Sequence, residues 1–312
     1  MGHQRFDIVT ACRKKDLRTL ELAVPRLRRF LPHGKLVVFT ARENIPLFQK
    51  KLGPGIEYRD EDKVFPDMGL EDLKRKGNLP GFPRGAGWYF QQFLKLAYPM
   101  VCPETERYLI WDADTVPLRS FAAFDSTGRA LLTPATMDSA LPPPGVFLDT
   151  STIKKMEQAT RPHRPYFENY RHLFGEEPCQ MDSFIAQQMP IHVPTLRKMI
   201  ARIKERFSGP ESWPWKVINN LQGHHGNLFS EYEFYAHFAL QHAAERHAVR
   251  TLVWSRAGRL SRGVSPEGQL QLWSESLDYV ALESWASPWR RLLVQIFSLL
   301  PESIRGKIRK SC

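Results

Sequence analysis

Two aspartates, one residue apart, end an apolar run in "YLIWDADTVP", residues 108 to 117. Paired carboxylates at a strand end can hold a hard divalent cation through oxygen, and that cation can bridge phosphate oxygens. The same two acids also suit a turn, where short acidic side chains bond their own backbone. Position distinguishes these uses. In an open parallel sheet, ligands bind beyond the carboxyl ends of the strands. Asp112 and Asp114 follow an apolar strand and precede Thr115.

The elements that would place them can be read upstream. "FDIVTA" (6–11) and "KLVVFT" (35–40) have the continuous apolar character of buried strands. Between them "KDLRTLELAVPRLRRFL" repeats its leucines at helical spacing. "IPLFQKKLG" reads as a short helix closed by Gly53, and "IEYRD" as a third strand. This β-α-β-α-β alternation predicts a mostly parallel sheet covered on both faces. Residues 61–86 read as a loop rich in charge, Gly and Pro. "GWYFQQFLKLAYPM" is the next helix. Phe90, Phe93, Leu94 and Ala97 make its apolar face, and Gln91, Gln92 and Lys95 a polar stripe. "RYLIW" then delivers the two aspartates, and "RALLTP" fits a further strand. Beyond a Pro-rich stretch from about 135 to 182, "DSFIAQQMPIHV" reads as a strand, and "PTLRKMIARIKERF" as a helix opened by Pro194. "FSEYEFYAHFALQHAAERH" reads as a helix capped by Ser230, and "TLVW" as a late strand.

"YLIWDADTVPL" resembles the D-x-D strand of GT-A-fold glycosyltransferases. "GWYFQQFLKL", "DSFIAQQMPIHVPTLRKMIARI" and "FSEYEFYAHF" resemble, in order, blocks of a group of bacterial polysaccharide-associated transferase-like proteins. The resemblance runs from Phe6 to Trp254. It implies an α/β fold of GT-A type, with a mostly parallel central sheet flanked by helices. A catalytic domain is expected over 1–265, with a nucleotide-binding half over about 1–120 and an acceptor-side half over about 121–265. A helical C-terminal extension with a basic amphipathic tail is expected over 266–312. The implied activity is metal-dependent transfer of a sugar from a nucleotide-diphosphate sugar to a glycan or lipid-linked acceptor, in polysaccharide or glycolipid synthesis. Haloacid-dehalogenase-type phosphohydrolases share the pattern of an apolar strand followed by D-x-D-x-[TV], with Asp112 as nucleophile. That motif usually lies on the first strand of its domain, and it wants a second acidic pair on a later strand. After Asp149 this chain has only Asp182 and Asp278 as aspartates.

Under the transferase reading, Asp114 binds Mn²⁺ or Mg²⁺ directly, and Asp112 binds metal, ribose or both. His225, in "GHHGN" beside His224, is the candidate third metal ligand. Thr10 and Ala11 end the first strand, where this fold receives the nucleotide; Arg13 and Lys14 follow and suit phosphate or base, or equally a solvated helix start. Lys95 stands where such enzymes carry a basic residue against the donor, although a solvent-facing lysine fits the same spacing. Glu231, Glu233 and Asp182 are the candidate catalytic acids, able to deprotonate or orient an acceptor hydroxyl. Acids also favour the first turn of any helix, and His237 follows Glu233 at the spacing of a local pair. Trp213 and Trp215 suit either a sugar face or the core. Arg256, Arg259 and Arg262 suit a diphosphate or solvent.

The formal net charge of +11 agrees with an anionic partner. No nucleic-acid-binding module is recognisable and the basic residues are spread over the chain, so no nucleic acid is expected. Cys12, Cys102, Cys179 and Cys312 are scattered, which argues against a zinc site or a disulfide framework. No signal-peptide pattern and no membrane-spanning run is visible. A cytoplasmic protein is expected, and the apolar and basic tail suits either docking on the anionic inner face of the plasma membrane or packing on the domain.

Overall fold

The computed structural model describes residues 5–76, 85–146, 150, 151, 153, 154, 163–179, 182–223, 227–256, 258–261 and 264–282. Strands β1 (Asp7–Ala11), β2 (Leu36–Thr40) and β3 (Glu57–Asp60) alternate with helices α1 (Leu17–Phe30) and α2 (Ile45–Leu52). Gly53 closes α2 with φ of 74°, a conformation glycine adopts at no steric cost. Successive strand side chains point to opposite faces, so one strand feeds two cores. Val9, Val37 and Ile110 enter one hydrophobic cluster; Ile8, Val38 and Leu109 enter the other. Burial on both faces is what continuous apolar strands require.

The chain then places α3 (Leu70–Lys76), α4 (Ala86–Leu96), α5 (Tyr98–Val101) and β4 (Arg107–Trp111). The main sheet has the order β3-β2-β1-β4-β7, where β7 is Gln188–His192. β3, β2, β1 and β4 are parallel; β7 runs antiparallel to β4 with Trp111 opposite Gln188 and Arg107 opposite His192. From β1 the chain builds outward to β3, then returns to lay β4 on the other flank of β1. The order therefore reverses between β1 and β4, the place beyond whose carboxyl ends open α/β sheets receive ligands.

Helices α6 (Arg164–Phe174), α7 (Val193–Arg206), α8 (Trp213–Asn220) and α9 (Glu231–His242) belong with α4 to the Val9 side of the sheet, which their buried residues share. β5 (Thr115–Pro117) pairs with β10 (Tyr279–Ala281), which also pairs with β9 (Trp254–Ser255). β6 (Ala130–Leu132) pairs with β8 (His247–Val249). The start of the expected extension thus joins the body: α10 (Pro266–Trp273) and β10 bury Trp273 and Tyr279 in the Ile8-side core. No described helix is long and apolar enough to cross a membrane. The tail from 283 lies outside the described residues.

Two expected strands are shorter than the sequence suggests. Of "DSFIAQQMPIHV", only Gln188–His192 is strand. Gln187 takes a φ of 60°, which ends the extended run, and the segment before it is bonded to α9 instead. The expected strand "TLVW" reduces to Trp254, paired through β9 with β10.

Candidate active site

Asp112 and Asp114 follow β4 directly, at the reversal of strand order. Their backbone is pinned. The Asp112 amide donates to Gln187 O (3.0 Å), the Thr115 amide to Asp112 O (3.0 Å), and the Leu282 amide to Asp114 O (2.7 Å). The Trp111 indole donates to Thr115 O (2.7 Å). A main chain satisfied in this way fixes where the two carboxylates emerge.

Lys95 is 5% exposed, which removes the alternative of a solvent-facing lysine. Its ammonium lies 2.5 Å from Asp112 Oδ1 and 2.5 Å from Glu231 Oε1. The Tyr232 hydroxyl donates to the same Asp112 Oδ1 (2.7 Å), and the Lys95 ammonium lies 4.8 Å from the centre of the Tyr232 ring. Burial alone would lower the Lys95 pKa, but the two carboxylates outweigh it and hold the ammonium charged. Burial, with Asp112 and Glu231 nearby, raises the Tyr232 phenol, so it stays a donor. α4 supports the arrangement further. Gln92 Oε1 accepts the Glu231 amide (3.0 Å), the Tyr89 hydroxyl accepts the Leu228 amide (3.0 Å), and the Tyr108 hydroxyl donates to Lys95 O (2.9 Å). Gln92 and Tyr89 so satisfy amides at the start of α9.

Glu231 therefore neutralises Lys95 and is 3% exposed; an acceptor base in free contact with solvent is not what the structure places there. Burial pushes its carboxyl up while Lys95 pulls it down. Glu233, two residues on, faces another segment. Its carboxylate accepts from the Ser183 hydroxyl (2.6 Å) and the Phe184 amide (3.0 Å), and His237 Nε2 lies 3.6 Å away. Ser230 caps the helix by accepting the Glu233 amide (3.4 Å). Glu233 is thus a tether for residues 183–184 and is 1% exposed. Asp182 is exposed and makes none of these contacts.

Thr10 and Ala11 end β1, as expected. The Thr10 hydroxyl, like that of Thr40 at the end of β2, is buried with no hydrogen-bond partner. Arg13 lies across the first turn of α4: a Cβ on Gly87 would overlap its guanidinium. Lys14 is exposed. Glu61 follows β3 on the same edge, and burial pushes its carboxyl up to about 7 against the pull of Arg13. Trp213 and Trp215 are core residues. The Trp213 ring meets Phe93 edge-on, and the Trp215 indole donates to Asp67 O (3.0 Å). Arg256 is buried, and Arg259 O accepts from Gln269. His224, His225 and Arg262 lie outside the described residues.

The structure thus brings Lys95, Asp112 and Glu231 together, with Asp114 beside them, and sends Glu233 elsewhere. Sequence reasoning missed Tyr232, Gln92 and Glu61. Tyr232 lies inside the "SEYE" block and Gln92 one turn before Lys95, so helical spacing carried a signal for both.

Residues 10–259 match DUF6492, a family of unknown function. The chain belongs to that family. No curated protein sequence matches this DUF6492 chain. Among solved structures, it is similar to mouse xyloside xylosyltransferase 1 in its apo form, at 13% identity and a TM-score of 0.48, over 90% of this chain and 98% of that one. It is also similar to LgtC. The galactosyltransferase LgtC with donor and acceptor sugar analogs gives 15% identity and a TM-score of 0.42, and an active-site mutant of LgtC 15% and 0.40. Both LgtC comparisons cover 97% of this chain and 100% of the other.

The donor set fits a hard cation. Asp112 and Asp114 offer carboxylate oxygens, and among the described residues the bonds from Lys95 and Tyr232 to the Asp112 carboxylate fall on Oδ1. Among the described residues no group of three or more His, Cys, Asp or Glu is arranged to hold a metal. Two carboxylates with substrate phosphates and water completing the shell is a usual way of holding Mg²⁺.

Proposed function

We propose that this protein is a metal-dependent glycosyltransferase that takes a nucleotide-diphosphate sugar as donor and a glycan or lipid-linked acceptor. The observation that carries the reading is the placement of Asp112 and Asp114 at the reversal of strand order, where open α/β sheets receive ligands. The ordered resemblance of the D-x-D strand and its companion blocks to GT-A transferases supports it.

Asp114 and Asp112 would hold Mn²⁺ or Mg²⁺, which supplies Lewis-acid neutralisation of the leaving diphosphate. Every other role falls to the chain. Lys95 and Tyr232 fix the Asp112 carboxylate through Oδ1, and Glu231 fixes Lys95. This is preorganisation: the acids are held in place before the charge they stabilise develops. Arg13, braced on Gly87, is suited to the phosphates or the base. The orphaned Thr10 and Thr40 hydroxyls are suited to the polar groups of a nucleoside. With Glu231 and Glu233 engaged, Asp182 is the candidate acid left to meet solvent and an acceptor hydroxyl.

The phosphohydrolase alternative gains nothing from the geometry. β4 is the fourth strand among the described residues, β7 carries no acid, and Glu231, which shares Lys95 with Asp112, comes from a helix. The test is release of nucleoside diphosphate from a panel of nucleotide sugars with Mn²⁺. Release should vanish with chelator and in Asp114→Ala. Phosphate release from a generic phosphomonoester, with no nucleotide-sugar turnover, would overturn the reading.

A further inference from the structure

Away from Asp112 and Asp114, three side chains form a second chemical group. Cys179 is exposed, and its Sγ lies 3.6 Å from His237 Nδ1. On the far side of the ring, His237 Nε2 lies 3.6 Å from Glu233 Oε2. The carboxylate only accepts, so it favours the tautomer with the proton on Nε2 and the lone pair on Nδ1. The thiol is then the donor to Nδ1. His237 is fully buried, and the rings of Phe167, Phe184 and Tyr170 surround it. At 3.6 Å the carboxylate acts on Nε2 through its charge rather than through a hydrogen bond. Glu233 itself cannot turn away, because Ser183 and Phe184 hold it.

This is the arrangement of a nucleophile, a base and an orienting carboxylate. We propose that Cys179 is a reactive thiol, with His237 as its general base and Glu233 as the group that orients His237, and that it exchanges with low-molecular-weight disulfides. In the step, His237 Nδ1 takes the thiol proton as Sγ attacks one sulfur of the disulfide. A new S–S bond forms to Cys179, the old one breaks, and the departing thiolate takes up a proton. Cys179 is oxidised and the departing thiol reduced, with the disulfide as the co-reactant.

Burial pushes the Cys179 thiol up, so its reactivity depends on proton transfer during attack rather than on a standing thiolate. Among the described residues, the two acids that precede it in the chain are engaged. Glu176 pairs with His242 (2.5 Å), and Glu177 with Arg171 (2.6 Å). Tyr170, raised by burial, and Tyr166, raised by burial and Glu233, face the group as neutral phenols. Cys12 and Cys102 are buried and serve as internal references.

The experiment exposes reduced full-length protein to oxidised glutathione over about pH 6 to 9, with each cysteine quantified by peptide mass spectrometry and N-acetylcysteine as the free-thiol standard. Near neutral pH, Cys179 is expected to react at least about tenfold faster than the standard, with a pH profile displaced to lower pH. His237→Asn should return both rate and profile to those of a free thiol. The proposal is overturned by a wild-type Cys179 that follows the free-thiol profile at the free-thiol rate or below, or by an unchanged rate in His237→Asn. The wild-type profile decides alone if that variant does not fold. None of these outcomes depends on glycosyl transfer.

Discussion

The two ends of β4 are served by the same helix and differ in what they leave unfinished. At the amino end, polar groups close on one another. Asp7 accepts the Lys35 amide (2.8 Å) and the Tyr98 hydroxyl (2.8 Å). The later part of α9 sends Tyr235 to His192 and His247: the Tyr235 oxygen accepts the His192 amide (2.7 Å), and its hydroxyl lies 2.9 Å from His247 Nε2. His247 Nδ1 meets Ala243 O (2.8 Å), so both of its nitrogens are used. At the carboxyl end, the first turn of α9 brings Glu231 and Tyr232 to Lys95 and Asp112. There one ammonium answers the carboxylates of Asp112 and Glu231, and the buried hydroxyls of Thr10 and Thr40 have no partner. A helix of 12 residues is about 18 Å long, enough to reach both ends. The closed end has the marks of structure; the open end keeps two buried hydroxyls that a polar ligand could satisfy.

The largest expected effect comes from removing the central charge of the open end. Lys95→Met leaves Asp112 and Glu231 facing each other in a buried site and should cost about 3–5 kcal/mol in denaturant unfolding. Lys35→Met, near the closed end, removes an ammonium that stands in solvent near Glu57 and Glu104, and should change stability little. Equal losses would erase the distinction between the ends.

The closed end should show itself through acid. Burial lowers the His247 pKa to about 4, from an ordinary 6.5. Below its ordinary value the unfolded chain takes up a proton that the folded chain refuses. Stability present at neutral pH is therefore lost as pH falls towards about 4, by up to about 3 kcal/mol. His192, also lowered by burial, acts in the same direction. Unfolding free energies measured across that range should slope upward with pH, and His247→Asn should flatten the slope.

The smallest effect sharpens the contrast. Tyr232→Phe removes one bond to Asp112 and keeps the ring under Lys95. Stability should fall by about 1–2 kcal/mol, while Mn²⁺ affinity should drop about tenfold, as for other groups that orient a ligand. A stability loss with unchanged affinity would make Tyr232 a packing residue only.

Much of this was legible in the sequence. The apolar runs of β1, β2 and β4 and the leucine spacing of α1 announce a parallel sheet, because burial on two faces leaves no room for alternation. Asp112 and Asp114 stood out for the same reason, as acids where the apolar run stops. Lys95 is legible through the resemblance as a basic residue against the donor, but its burial is not, because its partners Glu231 and Tyr232 come from a distant helix. The "SEYE" acids look alike in sequence, but helical rotation sends Glu231 to Lys95 and Glu233 to Ser183. The break before β7 was equally hidden, since Gln187 gives no sign of a positive φ.

The central claim is that the carboxyl end of β4 holds a diphosphate through a divalent cation. The direct measurement is calorimetric binding of nucleoside diphosphates to the wild type and to Asp114→Ala, with and without Mn²⁺. The wild type should bind only with the cation, and Asp114→Ala should lose that binding with the fold intact. Equal cation-dependent binding by both proteins would contradict it.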